Sequence, residues 1–64
     1  MRVKVVSDVE AKNEYGYVGA IPRGEYEVTV DGMVFLKGII NKWTLFLTVF
    51  QKAVEENKIE VISL

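Results

Sequence analysis

Few residues in this 64-residue chain could carry out covalent or acid–base chemistry. It has no histidine and no cysteine, and its only serines are Ser7 and Ser63. That removes the usual general base, the thiolate nucleophile and the commonest metal ligands. Neither serine lies in a nucleophile-elbow sequence. Asp8 and Glu10 share a side if the first strand runs that far, and Glu55-Glu56 fall on a helix-forming segment. Paired carboxylates can perform acid–base work, but these read as solvated surface charge. They are also too few for a magnesium or calcium cage. Gly16 and Gly19 lack the lysine and the following helix of a phosphate-cradling loop. The expectation is a non-enzyme with no metal and no cofactor.

Recognition chemistry is better represented. Tyr15-Gly16-Tyr17 is followed by Arg23 and Tyr26, and tyrosine and arginine are favoured where interfaces concentrate their binding energy. Trp43, beside Asn41-Lys42 at the end of a predicted hairpin, is a further candidate anchor. Lys37, Lys42 and Arg23 could meet phosphates while tyrosines stack on bases. The candidate binding residues are therefore Tyr15, Tyr17, Arg23, Tyr26, Lys37 and Trp43. A place in the core competes with binding for Tyr15, Tyr17 and Trp43.

Lys+Arg number 8 and Asp+Glu 9, a net charge of −1. A nucleic-acid binder normally carries a basic excess, so protein binding is favoured over nucleic acid. The length fits one domain, residues 1–64, with no repeat or linker. A chain this short buries only about 60% of its unfolded surface. Without a disulfide or a metal, self-association is the remaining way to reinforce it. Met1-Arg2-Val3-Lys4 does not read as a secretory signal. The uncharged run Trp43–Phe50 is well short of the ~20 residues that cross a bilayer. A cytoplasmic protein without membrane contact is expected.

Elements must position these side chains. Arg2–Val6 alternates as a first strand. Residues 12–22 form a glycine-punctuated stretch, either a bulged strand or a loop that folds back. Asp31-Gly32 predicts a two-residue type I′ turn between strands 25–30 and 33–40. Asn41-Lys42 predicts a second tight turn into a strand over 43–50, rich in β-branched and aromatic residues. Residues 51–57 then read as a short helix that Asn57 can end, and 58–64 as a last strand. The competing reading is a single helix over 42–57, since Phe46, Val49, Phe50, Ala53 and Val54 recur at helical spacing.

With both tight turns in place, Val28 faces Phe35 and Leu36 faces Leu47, and strands 33–40 and 43–50 are apolar on both faces. Burying one large apolar side chain is worth ~1.5–3 kcal/mol, so leaving a whole face bare would exceed the net stability of most domains. A homodimer or higher oligomer is expected to cover it. A closed barrel is the alternative.

The order of strand, long loop, three-stranded meander, helical turn and last strand resembles that of the small SH3-like barrels. Ile21-Pro22-Arg23-Gly24-Glu25-Tyr26 stands where the long loop would enter the meander. The expected fold is mainly β (small α+β). It is a five- to six-stranded antiparallel SH3-like barrel or strongly curved sheet with one short helix near the C-terminus. The expected function is non-catalytic protein binding, as a compact inhibitor or adaptor that self-associates and contacts another protein. Nucleic-acid binding and capture of a small ligand between subunits are the alternatives.

Overall fold

The computed structural model describes residues Met1 to Leu64. In chain order the elements are β1 (Arg2–Val5), β2 (Glu10–Asn13), β3 (Val18–Ala20), β4 (Gly24–Asp31), β5 (Met33–Lys37), β6 (Lys42–Leu45), α1 (Leu47–Glu55) and β7 (Ile59–Ser63). The strands form one antiparallel sheet in the order β3-β2-β6-β5-β4-β1-β7. Seven strands exceed the five to six expected, because residues 12–22 fold back as the β2–β3 hairpin. The sheet does not close: β3 and β7 are free edges.

It nevertheless curls. β4, β5 and β6 lie between β1 and β2, a separation of about 19 Å on a flat sheet. The backbone from Val5 to Glu10 reaches at most about 17 Å when fully stretched, and it bends at Ser7. Only a curled sheet lets so short a connection join those strands.

The hydrophobic pattern sets the β4–β5 register. Val28 pairs with Leu36 and Val30 with Val34, while Thr29 pairs with Phe35 and Glu27 with Lys37. Asp31 pairs with Met33, leaving Gly32 alone at the apex with φ +73. The predicted register is therefore slipped by one residue. A one-residue slip moves every side chain to the other face. Here it brings Tyr26 and Val28 round to join Val34 and Leu36 in the core.

The second predicted turn is also corrected. β5 ends at Lys37, which pairs with Lys42, and residues 38–41 form a loop closed by the Gly38 N–H donating to the Asn41 carbonyl at 2.8 Å. A side chain at Gly38 would push its neighbours aside: a Cβ would stand 2.7 Å from Asn41 Oδ1 and 2.8 Å from Tyr26 Cε1. The register moves by an even number of residues, so Val34, Leu36, Trp43 and Leu45 still share one face. β6 stops at Leu45 and Leu47–Glu55 is helical. The strand over 43–50 and the helix over 42–57 are thus each half present.

Phe50 and Ala53 press the helix onto the inner face, where Val3, Val5, Leu36 and Ile59 are wholly or almost wholly buried. The chain covers that face itself. With Ile39 and Ile40 in a loop and Leu47 and Val49 on the helix, the two-sided apolar meander behind the expected oligomer is absent. The helix ends as its sequence suggests: Asn57 takes φ +61, and the Lys58 N–H reaches the Ala53 carbonyl at 2.9 Å.

Candidate binding surface

Side chains of β2, β3, β5 and β6 that point away from the core make a shallow apolar surface. Lys12 pairs with Val18 on one side and Thr44 on the other, and Thr44 pairs with Phe35. At one end of these rows lies a hollow of about 230 Å³, walled by Val18, Met33, Leu45, Phe46 and Val49, with Glu10 and Lys12 at its rim. Val18 is 68% exposed and Phe46 64%. Phe46 is held out by its position: it is the N-cap of α1, in extended conformation (φ −67, ψ 148), and offers no side-chain cap. Thr44 also lines a second hollow of about 370 Å³ with Thr29, Phe35, Lys37, Lys42 and Glu14.

The residues singled out from the sequence are dispersed. Tyr15 and Tyr17 stand exposed at the tip of the β2–β3 hairpin. Asn13 shapes that tip: its Oδ1 accepts the Tyr15 N–H at 2.9 Å and the Tyr17 N–H at 3.0 Å. Arg23 is exposed and pairs with Asp8 at 3.1 Å. Lys37 lies on the outer face opposite Lys42. Tyr26 and Trp43 are in the core.

The Tyr26 hydroxyl donates to the Pro22 carbonyl at 2.6 Å. Burial pushes its pKa above the ordinary value, and a hydrogen bond with Asn41 opposes that rise. Trp43 Nε1 is buried without an acceptor. The structure therefore brings Tyr15 and Tyr17 to one hairpin tip but does not gather the whole set.

Val18, Met33, Phe46 and Val49 were not foreseen as surface residues. Val18 follows Tyr17 directly, and its alternation with Gly19 and Ala20 on a short edge strand was the available signal. Phe46 gave none, because a phenylalanine at an N-cap looks like a continuing strand.

No cluster of three Asp or Glu side chains is placed to hold a metal ion. No helix is long and apolar enough to cross a membrane. No family model, curated protein or solved structure matches the chain.

Proposed function

We propose that this protein is a non-catalytic, cytoplasmic protein-binding module, a compact inhibitor or adaptor, that takes an apolar segment of its target in the hollow between β3 and the start of α1. One observation carries the reading: Val18 and Phe46, each about two-thirds exposed, flank a concave apolar surface. Exposed apolar patches on small soluble domains usually mark contact sites. The element order supports it. A first strand, a hairpin in the long loop, a three-stranded meander, a helix and a last strand back on the first fit the SH3-like arrangement, in which a long loop borders the binding face. The exposed tyrosines at the hairpin tip lie on the same β2–β3 element and would extend the contact.

The test is affinity capture from a lysate of the source cell, comparing wild type with Phe46→Asp and Val18→Asp. A protein retained by wild type and lost with both variants, while both keep the wild-type circular dichroism, supports the reading. Equal retention by all three, or by none, removes it.

A second reading has its own observation. Lys37 and Lys42 oppose each other with no carboxylate in ion-pair range, and Phe35 stands beside them between Thr29 and Thr44. An exposed ring flanked by cations can stack a base and hold its phosphates. Salt-dependent binding of single-stranded DNA or RNA that is lost in Phe35→Ala would favour this face. No binding at low salt would dismiss it.

A further inference from the structure

We propose that the β3 edge pairs with the β3 edge of a second copy, two-fold about Gly19, to make one continuous sheet. The hydrogen-bond phase of the hairpin sets this up. The Asn13 N–H donates to Tyr17 and the Ile21 N–H to Val9, and Ala11 pairs with Gly19 between them. In an antiparallel ladder bonded pairs alternate with non-bonded ones, so the N–H and C=O groups of Val18 and Ala20 point outward to the open edge. An antiparallel copy centred on Gly19 sets Val18 against Ala20 of the second copy, and Ala20 against its Val18. Both outward donors and both outward acceptors on each chain are then paired.

Charge fits the same register. Lys12 is the row neighbour of Val18, and Glu10 of Ala20. Each joined row therefore runs Lys12, Val18, Ala20 of the second copy, Glu10 of the second copy. Two such rows, related by the two-fold axis, set opposite charges across about 14 Å of backbone, with only a valine and an alanine between them. Neither Glu10 nor Lys12 has an ion-pair partner within its own chain.

The edge itself lacks the usual guards. β3 carries no charge and no proline. The other edge is guarded: β7 is bulged beside Arg2 and Val3, and a two-fold pairing that uses both Ile59 and Val61 would set Glu60 against Glu60 of the second copy. With only three residues in β3, the dimer is weak and reversible. It adjoins the apolar hollow and shares Val18, Glu10 and Lys12 with it, but its readout is self-association and not capture of another protein.

Sedimentation equilibrium from micromolar to millimolar concentration tests it. Wild type shifts to twice the chain mass. Glu10→Lys alone and Lys12→Glu alone each turn both rows repulsive and weaken association about three-fold at low ionic strength, an effect that added salt screens. An equimolar mixture of the two variants restores it, because every row is again complementary. Ala20→Pro, which removes only an outward-pointing donor, gives a monomer with unchanged circular dichroism. A wild type that stays monomeric throughout overturns the proposal. So does a dimer indifferent to Lys12→Glu and Ala20→Pro, or a mixture that associates no better than its components.

Discussion

Tyr26 and Pro22 are locked together: the phenol of one donates to the carbonyl of the other at 2.6 Å, fixing the chain where it enters β4. Tyr26→Phe keeps the ring and leaves the Pro22 carbonyl without this donor. The expected cost is about 1–2 kcal/mol, read from the urea midpoint at neutral pH. An unchanged midpoint would show that water replaces the phenol.

The same hydroxyl predicts an alkaline limit to stability. Its pKa in the folded chain is raised above the ordinary value near 10, by burial first, with the Asn41 hydrogen bond opposing. Above that ordinary value the unfolded chain releases the proton more readily than the folded one, so stability falls as pH rises through the folded value. Below the ordinary value the contribution is complete. Wild type should lose stability as pH rises above the ordinary tyrosine value more steeply than Tyr26→Phe, by parallel urea titrations; equal slopes would remove Tyr26 as the cause.

Gly38→Ala forces a methyl group against Asn41 Oδ1 and the Tyr26 ring, at 2.7 and 2.8 Å before relaxation. The loop must shift, with a loss of about 1–3 kcal/mol. A thermal midpoint within a degree of wild type would mean that the β5–β6 loop yields freely.

Phe46→Asp separates stability from binding. The position already has the extended backbone of an N-cap but no side-chain oxygen. Aspartate supplies that oxygen, and a good cap is worth about 1 kcal/mol. The variant is expected to melt at or above the wild-type temperature while losing affinity for anything held in the hollow. A marked fall in melting temperature would show that the Phe46 ring supports the core despite its exposure.

Trp43→Phe removes a buried N–H that has no acceptor, which offsets part of the lost packing. It should cost less than Leu36→Ala, for which a wholly buried residue implies about 2–5 kcal/mol. Chemical denaturation of the two variants side by side decides the order.

Much of the sheet could be read from residue alternation, and the errors have identifiable causes. Glu25–Val30 alternates so cleanly that only its register was open. Asp-Gly is so strong a two-residue turn signal that it outweighed a pairing which buries Tyr26 and packs the half-buried Val28 against the core. The boundary between β6 and α1 was hidden at Phe46, where neither serine, threonine, aspartate nor asparagine marks the helix start. Tyr26 and Trp43 looked like anchors by type. Which face Tyr26 occupies depends on the β4–β5 register, which the Asp-Gly turn misreported, whereas Trp43 keeps its predicted face and that face is the core. The outer hollow was illegible for the same reason, since Met33 and Val49 belong to different elements that only the folded chain brings together.

The pairing of Arg2–Val5 with Ile59–Ser63 joins the first strand of the chain to the last. Before β7 docks, β1 has β4 on one side and a bare backbone on the other. Closing so non-local a pair costs more chain entropy than closing the β4–β5 hairpin, and contacts of that kind slow folding.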